Sequence, residues 1–115
     1  MPKFLFAYHG GKMPETEADI AAEMKRWRDW MDGLGDALVD PGNPVGMSKT
    51  VSVDGIASDG IASDGGANPV SGYSLVMADD MNAALAMAAG CPEVTQGHGS
   101  IEVAKVLNME DIMKQ

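Results

Sequence analysis

The chain is poor in cysteine, in aromatic residues and in positive charge. Its 115 residues contain one cysteine, Cys91, so no internal disulfide can form. A lone thiol suits a reducing compartment, and a cytoplasmic setting is the expectation. Eight Lys and Arg stand against seventeen Asp and Glu, a formal net charge of −9. A chain of that sign repels polyanions, and counterion release on nucleic acid needs clustered basic side chains. The one basic cluster, Lys25, Arg26 and Arg28, is interleaved with Glu23 and Asp29. Neither nucleic acid nor a membrane surface is therefore an expected partner. Long hydrophobic runs are also missing. No stretch approaches the ~20 apolar residues that a membrane helix needs. The opening "MPKFLFAYHGG" has an apolar run too short for a secretory signal segment.

What is present suits one globular domain over residues 1–115. Residues 3–9, "KFLFAYH", read as a strand with two apolar faces: Phe4, Phe6 and Tyr8 on one, Leu5 and Ala7 on the other. A strand reads this way when both its faces are covered. Residues 16–34 predict a helix, with Thr16 as cap and Asp19 in the capping-box position. Its apolar stripe is Ile20, Met24, Trp27, Met31 and Leu34, with Trp30 flanking it. Short extended pieces follow at 36–42 and 48–53, the second expected to be half-exposed. "GYSLVMA", 72–78, predicts another strand. Asp79 or Asp80 caps a second helix over 80–89, where Met81, Ala84, Leu85 and Ala88 share a side. "GSIEVAKVL", 99–107, is the last strand.

Two β-α-β units with a hairpin arm between them predict an α+β fold: a ferredoxin-like βαββαβ sandwich. Its helices can cover only one sheet face. The first strand is apolar on both, so a second copy of the chain is expected on the open face, as a homodimer.

"KFLFAYHGG", "GDALVDPGNPV", "SKTVSVDG", "NPVSGYSLVMADDMNAALAMAAGCP" and "GSIEVAKV" together resemble the YCII-related family, near its DGPF-type branch. The resemblance covers about residues 3–107. It implies a dimeric α/β barrel, in which the sheets of two protomers face each other around a cleft. Some such relatives are lyases or isomerases of small molecules. In one, a His of the first helix and an Asp after the second form the working pair. Here helix 16–34 contains no His, and Gly90-Cys91-Pro92-Glu93 follows the second helix. That pair does not carry over.

Topology supplies separate candidates. In a ferredoxin-like sheet, His9 ends the first strand, Asp40 the second, Tyr73 begins the third and His98 begins the fourth. All four are expected at one sheet edge. Imidazole exchanges protons near neutrality, its ordinary pKa being about 6.5. His9 with Asp40 would then be the acid-base residues, and Tyr73 and His98 would line a ligand site. The plainer alternatives are a solvated strand end for His9, a turn for His98 and edge packing for Tyr73. No metal and no cofactor is expected. Cys91, at a helix C-terminus, is a poor nucleophile. Two functions stay open: a small-molecule protein using the dimer cleft, with lyase- or isomerase-like acid-base chemistry, or a non-catalytic dimerisation module.

"VDGIASDGIASDGGANP", 53–69, writes one pentapeptide twice, Gly55–Asp59 and Gly60–Asp64. Asp-Gly is a tight-turn signal, so Ile56-Ala57 or Ile61-Ala62 can supply the return strand of the arm. The offset of five is odd, and an odd slip reverses every side chain. A variably ordered arm over about 54–68 is the expectation. Calcium is disfavoured, since its sites need six to eight oxygens.

Overall fold

The computed structural model of the chain describes residues 1–10, 15–60 and 69–113. In chain order the elements are β1 (Lys3–Gly10), α1 (Glu17–Leu34), a 3-10 turn (Gly35–Ala37), β2 (Leu38–Asp40), β3 (Ser48–Ser52), β4 (Gly55–Gly60), β5 (Val70–Met77), α2 (Met81–Ala89), α3 (Pro92–Thr95), β6 (Gly99–Lys105) and α4 (Met109–Met113). The fold is α+β. Four strands form one open sheet in the order β2-β5-β1-β6, and β3 and β4 form a separate two-stranded sheet. Every pairing within the larger sheet is antiparallel. The single chain closes no barrel. Among the described residues no helix is long and apolar enough to cross a membrane.

Alternation along β1 builds the core. Phe4, Phe6 and Tyr8 are buried on one face, opposite Val76, Ser74 and Gly72 of β5. Ile101 and Val103 of β6 extend this face on the other side. Ala84 and Ala88 of α2 and Trp27, Trp30 and Leu34 of α1 pack onto it. Both helices therefore cover the same side of the sheet. Each large apolar side chain buried there stabilises the fold by roughly 1.5–3 kcal/mol.

The aromatic residues gather in one chain of ring contacts. Tyr8 meets Trp27 edge to face at 5.2 Å, Trp27 meets Trp30 edge to face at 5.7 Å, and Trp30 stacks on Phe6 at 6.4 Å. Both indole N–H groups are used: Trp30 Nε1 donates to Met87 O at 3.0 Å and Trp27 Nε1 to Glu23 Oε1 at 2.9 Å. The two tryptophans thus belong to the core, holding α1 to α2 and to β1.

The caps form as the residue types dictate. Thr16 Oγ1 accepts from Asp19 N at 3.0 Å, and Asp80 Oδ1 accepts from Ala83 N at 2.8 Å. The expected stripe on α1 holds in its second half, where Trp27, Leu34 and the flanking Trp30 pack on the core and Met31 is half-buried, and not in its first. Ile20 and Met24 are exposed, and the inward line is Glu23, Trp27, Trp30 and Leu34. On α2, Met81 and Leu85 are exposed and Met87 takes their place beside Ala84 and Ala88.

The arm uses the first copy of the pentapeptide. Ser52 pairs with Gly55, Val51 with Ile56 and Thr50 with Ala57, across a turn at Val53-Asp54. Residues 49–52 of β3 are exposed on both sides, where one covered face was expected. The second copy, from Ile61 onward, lies outside the described residues.

Candidate functional site

On the sheet face away from the helices, the β ladders set side chains in rows. Leu5 lies between Leu75 and Ala104, and Ala7 between Tyr73 and Glu102. His9 follows, opposite Ser100 on β6 and Val70 on β5. Directly paired residues share a face. Ala7, as small as Ala104 in the neighbouring row, has Tyr73 on one flank and Glu102 on the other. His9, two residues along β1, stands at one end. Its Nε2 is 3.2 Å from Glu102 Oε1, with His9 mostly covered and Glu102 mostly exposed. The contact is an ion pair when the imidazole is protonated.

The structure brings three of the four sequence candidates near one another. His98 sits in the turn just before β6, beside the end of β1: a Cβ built on Gly10 would stand 3.2 Å from His98 O. Its backbone N–H donates to Glu93 O at 2.9 Å. Tyr73 is one strand over from β1 and two residues back from His9. Its hydroxyl meets Asn43 Nδ2 at 3.4 Å.

Asp40 is not brought to His9. It pairs with Leu75, which is level with Leu5, so it lies two strands across and four residues down the sheet. Its Oδ1 accepts from Gly42 N at 2.8 Å and shapes the Pro41-Gly42 turn. Gly42 has φ of 68°, and a Cβ there would stand 1.8 Å from Tyr73 O, so only glycine fits. The expected edge cluster misplaced Asp40 because β2 is three residues long and pairs with the middle of β5.

Behind the His9 end, on the helix side, lies a carboxylate that sequence reasoning left without a role. Glu93 of α3 is only 6% exposed. A Cβ built on Gly99 would meet its Oε1 at 2.9 Å, so its side chain occupies the space that this glycine leaves. Burial, and then the nearby Glu23 carboxylate, raise its pKa to about 7, against a smaller opposing pull from His9. Two further groups border it. Burial pushes the Cys91 thiol up to about 12. Burial also drives the Tyr8 hydroxyl above its ordinary value, and that hydroxyl donates to Ser74 Oγ at 2.8 Å. Ser74 Oγ in turn donates to Pro41 O at 2.7 Å. The signal for Glu93 was faint but present: a carboxylate right after Cys-Pro, at the start of a one-turn helix.

Among the described residues, no three His, Cys, Asp or Glu side chains converge as a metal site. The sequence matches none of the known family profiles and no curated protein.

Proposed function

We propose that the chain is a YCII-related cytoplasmic protein that works as a homodimer and holds a small molecule between the sheet faces of two protomers. The core is then ferredoxin-like, and two copies form a dimeric α/β barrel. Three features support this: the strand order β2-β5-β1-β6, the helices packed on one side only, and the apolar face made by Leu5, Ala7, Leu75 and Met77. The row in which Ala7 stands between Tyr73 and Glu102, with the His9–Glu102 pair at its end, carries the reading. It joins an apolar side chain to a phenol, an imidazole and a carboxylate, the mixture that small-molecule sites use. In it the His9–Glu102 pair exchanges a proton with the ligand, and the Tyr73 hydroxyl donates to oxygen that gains charge. His98 borders the site through its turn, and Asp40 supports it by shaping the Pro41-Gly42 turn that lies against Tyr73.

The second reading is a dimerisation module without chemistry. It is favoured by the missing His on α1 and the missing Asp after α2. Sedimentation velocity and an NMR screen of small carboxylic acids and phenols decide between them. The proposal expects a dimer that Leu75→Asp converts to monomer, and amide shifts at Ala7, His9, Tyr73 and Glu102 that His9→Ala abolishes. A dimer in which no compound moves those amides leaves the interaction module. A monomeric wild type sinks both readings.

A further inference from the structure

We propose that the corner formed by α3, the His98 turn and the start of β6 is a pH-sensitive latch, closed while Glu93 holds a proton and loosened when Glu93 ionises beside the Glu23 side chain. The latch depends on neither the ligand nor the dimer proposed above.

The geometry of the corner carries this. Glu93 is only 6% exposed, and its carboxyl is not among the fully buried, partnerless polar atoms of the described residues, so its oxygens keep a narrow contact with water. A carboxylate in that position has lost most of its water, and burial of a charge without matching donors is unfavourable. The groups facing it from each packed element do little to offset a charge. From α1 comes Glu23, a like charge, already accepting from Trp27 Nε1 and from Arg26 Nη1 at 3.0 Å. From β1 come Tyr8, whose proton is committed to Ser74, and His9, which is engaged with Glu102. Cys91 caps α3 as a neutral, fully buried thiol. α2 contributes no titratable side chain. From the turn, His98 offers its backbone N–H to the Glu93 carbonyl, and β6 opposes Glu93 with Gly99. Arg26 is drawn to Glu23 rather than to Glu93.

The corner also has something to release. Gly99 pairs with Gly10 at the far end of β1, and α3 has a single turn. Ionised Glu93 lowers its energy by turning toward water, and this withdraws the filling beneath Gly99. The His98 N–H bond to Glu93 O and the last β1–β6 pair then open together, next to His9.

The sign follows from linkage. Glu93 in the folded chain keeps its proton to about pH 7, while an ordinary carboxyl loses it near 4.5. Between those values the folded state binds more protons than the unfolded one, so stability falls as pH rises through the window. The contribution is fully present below about 4.5 and lost above about 7.

The test is amide hydrogen exchange at His98 and Gly99, corrected for intrinsic rates, from about pH 5 to 8, alongside urea unfolding. In the wild type, His98 protection is expected to fall by at least about tenfold over that range, one pKa unit of linkage being a factor of ten. In Glu93→Gln the protection and the urea midpoint become flat over the range. In Glu23→Gln the wild-type fall persists but moves to lower pH, because a like charge is gone. The latch is refuted by a wild-type His98 protection that does not change with pH, or by a Glu93→Gln profile that keeps the wild-type slope. Should Glu93→Gln not fold, the direction of the Glu23→Gln shift decides alone, and a shift to higher pH or none overturns the proposal.

Discussion

Gly99 and Glu93 share one space. A Cβ on Gly99 would lie 2.2 Å from His9 O and 2.9 Å from Glu93 Oε1. Residue 99 is thus the point at which the open-face site, through His9, meets the buried carboxylate of α3. The contact with His9 is to backbone, which cannot swing aside, so Gly99→Ala has to move β1 or β6. Overpacking of this kind costs about 1–3 kcal/mol. Urea unfolding of Gly99→Ala at pH 6 should show a loss in that range, and an unchanged midpoint would show that the strand ends yield freely.

The relay from Tyr8 through Ser74 to Pro41 O ties β1 and β5 to the turn after β2. Ser74 is fully buried. Tyr8→Phe removes one donor and should cost about 1 kcal/mol. Ser74→Ala orphans both the Tyr8 hydroxyl and the Pro41 carbonyl, and should cost more, at about 1–3 kcal/mol for each group left unsatisfied. The double variant should cost less than the sum, since removing both partners leaves fewer orphans. Strict additivity in a denaturation cycle would mean that the two hydroxyls act independently.

Cys91 is fully buried, and its thiol is raised from 9.0 to about 12. The thiolate is the reactive form. At pH 8 the three-unit difference alone slows labelling by roughly a thousandfold relative to the unfolded chain. A disulfide reagent should therefore modify the native protein only as fast as it opens, and modify it at once in urea. Rapid native labelling would show that the α2–α3 junction is open in solution.

The legible parts of the fold were those where local chemistry and packing agree. β1 was legible through the alternation of Phe4, Phe6 and Tyr8, whose face is the core. Thr16 and Asp80 marked helix starts because a side-chain oxygen in front of free N–H groups acts locally. The extent of the buried stripe on α1 was less legible. Periodicity tells which residues share a face but not how far a neighbour reaches beneath them. An 18-residue helix spans about 27 Å, and Ile20 and Met24 in its first turns stay exposed.

The site was legible only in outline. Strand ends placed His9, His98 and Tyr73 in one neighbourhood, because antiparallel order brings chain-distant ends together. Asp40 escaped, since a three-residue strand has no register in its sequence. Glu93 escaped for another reason. Its burial is set by a missing side chain on Gly99, six positions away, and by Glu23 on a distant helix. The short α3 that carries it has too few residues to show a period.

The chain of aromatic rings has a consequence for light. Trp27 and Trp30 lie 5.7 Å apart at 87° to each other, close enough for their indole transitions to couple. Trp27 also donates to Glu23, whose carboxylate stands beside Glu93. The pair's near-ultraviolet circular dichroism is thus a built-in reporter, set by α1's seating on the sheet and tinted by the proton on a neighbouring acid.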